Sequence, residues 1–158
     1  ICNAAPTHRD FWQGMKALIY SHLALKDGGT IIFVIDAPEG VSGGAPIHRE
    51  TLLAWSTKEP DAILGALASG EIRDRNCGGI CVTHARLLKR AKVICVSSGM
   101  TEGEIKSLGF IPSPSVNAAL ELALATNGGN GKVGVIPYGG ETIVRVKRQR
   151  DSAIAETR

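Results

Sequence analysis

Apolar positions along the chain follow two rhythms. Short β-branched runs, TIIFVID at 30–36, KVICVS at 92–97 and KVGVIP at 132–137, are apolar almost throughout and bounded by Gly, Pro or Ser, the pattern of strands covered on both faces. Longer segments between them repeat their apolar residues at three- and four-residue spacing, the pattern of amphipathic helices. The alternation predicts an α/β fold, a mainly parallel sheet of about four or five strands with helices on both faces. Residues 1–3 read as the stub of a further strand.

Asp10 is placed to cap a helix running to about Leu25, in which Phe11, Met15, Leu18, Ile19 and then His22 or Leu23 share one face before Gly28 and Gly29 stop it. Further helices are predicted at 48–56, 61–69, 79–91, 102–108 and 115–126. In open α/β sheets ligands meet the carboxyl ends of the strands, where loops and helix amino termini converge. That edge should carry residues 4–10, 37–44, 98–101 and 138–142.

Charge changes this picture at one end only. Residues 1–144 hold 13 basic and 13 acidic side chains, whereas residues 145–158 hold 5 and 2, so the folded body is neutral and a basic tail, expected to be dispensable for the fold, follows it. Arg145, Lys147, Arg148 and Arg150 lack interleaved aromatics for base stacking, which argues against a nucleic-acid partner. The longest apolar run, IIFVI at 31–35, is far below the roughly 20 residues of a membrane span, and no leader opens the chain. A cytoplasmic protein without a membrane partner is expected.

Four cysteines, Cys2, Cys77, Cys81 and Cys95, are too few and too unevenly spaced for a disulfide framework and should be reduced. Cys77, Cys81 and His84 would share a helix face, but three ligands at this spacing leave a metal set incomplete, so no metal is expected there. None of the glycine pairs follows a strand in dinucleotide or P-loop order.

Candidate chemistry concentrates in DFWQGMKAL at 10–18. On a helix Gln13 and Lys16 are neighbours at i, i+3 and Trp12 and Lys16 at i, i+4, so an amide, an ammonium and an aromatic plate can converge on a carboxylate. From spacing alone an ordinary amphipathic helix whose Lys16 reaches water is the favoured reading. His8, in the loop ahead of this helix, is a further substrate-binding candidate on the same edge.

The order of these segments resembles the carboxyl-terminal domain of the nickel-pincer lactate racemase family: a small-residue and Pro loop (Ala4, Ala5, Pro6), then DFWQGMKAL, DGGTIIFVIDAPEG, ARLLKRAKVICVS, a Pro-Ser-Pro segment with SVNAALELAL, and KVGVIPYGGET. The resemblance covers roughly residues 1–144. It implies a parent 2-hydroxy-acid racemase or epimerase that moves a hydride from the α-carbon of its substrate to a nickel-pincer nucleotide and returns it to either face of the keto acid. It implies catalytic roles for Lys16 and Gln13 and a substrate contact for Trp12. The cofactor and the histidine bases would belong to the protein's own amino-terminal domain. Nothing in these 158 residues resembles that domain, so the chain is expected to be a substrate-contacting half, inactive in isolation. The family's loop often has a Gly pair before Pro where Ala4 and Ala5 stand, and lactate racemases proper carry a Trp where residues 76–79 have none, which points to another 2-hydroxy acid. A non-catalytic small-acid or phosphate module, or a structural domain, is the alternative.

Overall fold

The computed structural model describes residues 1–126, 128–129 and 131–145. Four strands, β1 (Cys2–Asn3), β2 (Thr30–Ile35), β3 (Lys92–Ser97) and β4 (Ile111–Pro112), pair in parallel in the order β1-β2-β3-β4. Register is set by the alternation of side chains. Phe33 lies between Cys2 and Cys95, and all three enter the larger core, while Ile32 and Ile94 face the opposite side.

Six helices cover this sheet unequally. On one face lie α1 (Phe11–Ser21), α2 (Pro46–Trp55), α3 (Pro60–Ser69), α4 (Arg75–Arg90) and α5 (Glu102–Ser107), which contribute Phe11, Leu52, Ile63, Cys81 and Ile105 to the larger core. On the other, α6 (Val116–Thr126) lays Ala119 and Ala123 against Ile32 and Ile94. Handedness explains the split. The crossovers from β1 to β4 step one way across the sheet, and the chain after β4 returns to the far edge beside β1, where Ile136 bridges Cys2 in parallel. A right-handed crossover running backwards places its helix on the opposite face.

Most predicted elements appear where the periodicity places them, with instructive shifts. The first helix ends at Ser21 and tightens into a 3₁₀ turn over His22–Ala24. The fourth begins at Arg75 rather than residue 79, because the Asp74 carboxylate accepts the Cys77 N–H and starts the helix ahead of the glycine pair. The segment 132–137 is not a ladder strand: the Asn3 N–H donates to the Ile136 carbonyl and the Ile136 N–H to the Ile1 carbonyl around a single bridge, and Val133 and Val135 are exposed. Of the basic tail only Arg145 is described; residues 146–158 lie outside the described residues.

The chain's three phenylalanines meet in the larger core. Phe11 approaches Phe33 at 6.3 Å and Phe110 at 5.7 Å between ring centroids, in edge-on geometry. His84 completes this cluster, 5.1 Å from Phe110 and fully enclosed, with Nε2 bonded to the Leu108 carbonyl at 2.8 Å. Burial pushes its pKa down from 6.5 to about 4, against the smaller upward effect of the Leu108 carbonyl. The folded chain therefore refuses a proton that the unfolded chain binds. Stability should be full above about pH 6.5 and fall by about 3 kcal/mol as pH drops to about 4. Urea midpoints measured across that window should show the slope, and His84→Gln should flatten it; an unchanged slope would mean His84 is not held neutral by burial.

Candidate functional site

The amino terminus of α1 is built into the loops at the carboxyl ends of β1 and β2. Asp10 is buried and acts as a double acceptor, taking the Gln13 N–H on Oδ1 at 2.8 Å and the Gly43 N–H on Oδ2 at 3.2 Å. The Phe11 and Trp12 amides donate to the Gly40 and Val41 carbonyls at 2.9 and 3.0 Å. A free helix start would leave these amides open to an anion. Here the protein's own backbone uses them, so the chemistry of this edge lies in side chains.

The phase of α1 decides which side chains those are. Phe11, Met15 and Leu18 are buried, Gly14 sits so close to Ile35 that a Cβ there would collide with it, and Lys16 stands out in solvent. Gln13 and Lys16 meet as their spacing predicts, with the Lys16 Nζ donating to Gln13 Oε1 at 2.8 Å. Trp12 leans over the imidazole of His48 on α2, with ring centroids 4.8 Å apart and planes inclined by 37°. Between α1 and the loop leading into α2 lies a pocket of about 280 Å³, walled by Arg9, Trp12, Gln13, Ser42, Ala45 and His48 among others. The Arg9 Nε reaches Glu39 Oε1 at 2.5 Å.

His48 is the residue the sequence reading left out. Its Nδ1 lies 2.5 Å from Asp74 Oδ2, while Asp74 Oδ1 caps α4 through the Cys77 N–H. Burial alone would raise the Asp74 pKa, but the Cys77 N–H and thiol together with His48 hold it below the ordinary carboxylate range. No sequence signal joins residues 26 positions apart on two helices; only the packing of α2 on α4 does. His8, in contrast, stands apart from the pocket walls. Its carbonyl accepts the Ala37 N–H at 2.9 Å, and its Nδ1 is buried without a partner among the described residues.

Cys77, Cys81 and His84 do share a helix, yet they turn to different partners. Cys77 approaches Asp74, Cys81 approaches Ser56 and the Thr51 carbonyl at 3.8 Å each, and His84 bonds to Leu108. Among the described residues His48, Asp74 and Cys77 form the one group whose donor atoms lie within metal-binding reach, all within 4.8 Å of one another. The arrangement favours hydrogen bonds over a ligand set. Burial first, and then the Asp74 carboxylate, push the Cys77 thiol well above its ordinary range.

The strand-end loops and α1 thus define an α/β domain presenting a Trp, an amide and an ammonium from one helix beside a polar pocket. The chain belongs to the lactate racemase C-terminal domain family, whose model matches residues 2–144. It is 28% identical over 146 residues to a lactate racemase of Thermoanaerobacterium thermosaccharolyticum, covering 90% of this chain and 33% of that protein. It also superimposes on the structure of the lactate racemase apoprotein from the same organism with a TM-score of 0.73 and 26% identity, over 90% of this chain and 33% of that one. The chain therefore spans about a third of the length of the relative it matches.

All four thiols are buried and free, and burial raises the pKa of Cys81 to about 11 and of Cys95 to about 12. Ellman's reagent should find no reactive thiol until denaturant is added, and then four. Dialysis against EDTA should leave the melting temperature unchanged; a clear drop would show that a bound metal ties Asp74 or Cys77 into the fold.

Proposed function

We propose that this chain is the carboxyl-terminal, substrate-contacting half of a 2-hydroxy-acid racemase or epimerase, working with an amino-terminal domain of the same protein in the cytoplasm. The nickel-pincer nucleotide, bound by that other domain, would supply a reversible hydride acceptor. The donor sets described in this chain do not fit as its anchor: His84 is enclosed and bonded to Leu108, and His48, Asp74 and Cys77 are tied to one another. What this half contributes is the grip on the acid, without which a substrate cannot be held in reacting geometry.

The observation that carries this reading is the contact between Lys16 and Gln13 at the edge of the Trp12 pocket. An ammonium held by a neighbouring amide is a donor aimed in advance. It can bind the carboxylate of a 2-hydroxy acid or favour negative charge on its keto oxygen, and the Gln13 amide nitrogen offers a second donor. Trp12 closes the apolar side. His8 is kept as a substrate-binding candidate from the neighbouring loop. A phosphate-binding module finds less support, since the first amides of α1 are already bonded to Gly40, Val41 and Asp10.

In the two-domain protein loaded with cofactor, Lys16→Ala should lower kcat/KM for 2-hydroxy acids by about a hundredfold or more, the size of effect seen when one preorganised donor to a developing oxyanion is removed. Its melting temperature should barely move, because Lys16 is exposed. Lys16→Arg should restore activity only in part, as a planar fork does not replace a compact ammonium. Near-normal turnover of Lys16→Ala would reduce α1 to scaffold. The 158-residue chain alone should not turn these acids over, and turnover by it would overturn the two-domain assignment.

A further inference from the structure

We propose that His48 is a specificity-determining residue of this site, selecting 2-hydroxy acids whose substituent carries a hydrogen-bonding group over those with a bare alkyl group. The inference rests on the reading of Gln13 and Lys16 as the carboxylate grip and goes beyond it by naming what the rest of the substrate must be.

The imidazole is held from two sides. Asp74, buried at the start of α4, is an acceptor only when ionised, so the hydrogen shared across the 2.5 Å contact sits on Nδ1 and the ring is fixed with Nε2 as its remaining nitrogen. Trp12 covers one face of the ring at 4.8 Å. Packing alone does not require this. A buried tether between α2 and α4 would be enclosed, whereas the His48 side chain is 26% exposed and forms part of the pocket wall. Among the described residues its Nε2 makes no hydrogen bond.

Both Asp10 oxygens accept backbone amides, and Arg9 gives its Nε to Glu39 while its terminal nitrogens stay open to the pocket. Gln13, Ser42, His48 and the Arg9 terminal nitrogens can therefore meet a ligand, and of these His48 is the one fixed by a buried partner. Lys16 lies beyond the pocket wall, one turn along α1, and is joined to it through Gln13. A small acid whose carboxylate rests on Lys16 and Gln13 therefore directs its substituent across Trp12 toward His48. A hydroxyl there would donate to Nε2, and a second carboxylate would accept from it in the imidazolium form. A methyl group would displace water from the imidazole and return nothing, and sites built to bond a polar group discriminate strongly against analogues that lack it.

The test compares lactate, glycerate and malate, which share the 2-hydroxy-carboxylate and differ in substituent. In the cofactor-loaded two-domain protein, kcat/KM for glycerate or malate should exceed that for lactate by about tenfold or more, and His48→Leu should erase most of that ratio. His48→Gln, which can still donate to Asp74 and present a polar group, should keep part of it and serves if the leucine variant folds poorly. A readout independent of turnover is the imidazole ¹⁵N spectrum of the two-domain protein, in which the His48 Nε2 resonance should shift on titration with glycerate and not with lactate. The proposal is overturned if the substrate ratio in His48→Gln and His48→Leu equals that of the unmodified protein, or if the Nε2 resonance ignores all three acids. Lys16→Ala, run in parallel, should depress all three acids alike. If it does so while the His48 variants keep the native ratio, only the role of His48 falls; if Lys16→Ala is silent, the carboxylate grip falls with it.

Discussion

The first turn of α1 is the constraint on which the rest of the site depends. Within four consecutive residues the chain must bury a carboxylate at Asp10, drive a phenylalanine ring into the centre of the core at Phe11, and hold Trp12 and Gln13 at a pocket wall. These demands reinforce one another. Burying Phe11 contributes about 2 kcal/mol of apolar transfer, and its edge-on contacts with Phe33 and Phe110 fix the rotation of the helix about its own axis. Once that rotation is fixed, the helical repeat leaves no freedom in where Trp12, Gln13 and Lys16 emerge.

A second constraint comes from the far end of the chain. Gly139 and Gly140 are buried, and a Cβ on Gly139 would strike Cys2, Ala17 and the Asn3 carbonyl, while one on Gly140 would strike Thr7. The YGGET turn is therefore a wedge of bare backbone pressed between β1, the loop after it and α1. It supports the working edge from behind, which gives this motif a mechanical reason to accompany DFWQGMKAL although the two are separated by more than a hundred residues.

The α/β class, both long strands, the Asp10 cap and the Gln13–Lys16 pair were legible because each depends on residues close in sequence. What escaped depends on distant partners. Two-residue β4 has too few positions to alternate, and it exists because Ile111 and Pro112 find the exposed side of β3. The run at 132–137 has the composition of a strand but can pair only with β1, which offers two residues, so a single bridge forms. His48 was invisible for the same reason. Its significance is created by Asp74 on one side and Trp12 on the other, from two other helices.

This division also bears on why half a site would be made this way. Lys16 is exposed and the pocket beside it is open, so in the isolated chain water competes for every donor. Two unit charges 4 Å apart attract by about 1 kcal/mol in water and by about 4 kcal/mol at the effective dielectric of a partly covered surface. A grip formed by Lys16 and Gln13 is therefore weak until something covers it, and on the proposed function that cover is the domain holding the reactive cofactor. Binding strength and reactivity would then arrive together: the acid is held firmly only when the surface that receives its hydride is closed over it. On that reading Asp10, Phe11 and the Asp74–His48 contact would hold α1 in place before closure, so that binding need not first order it.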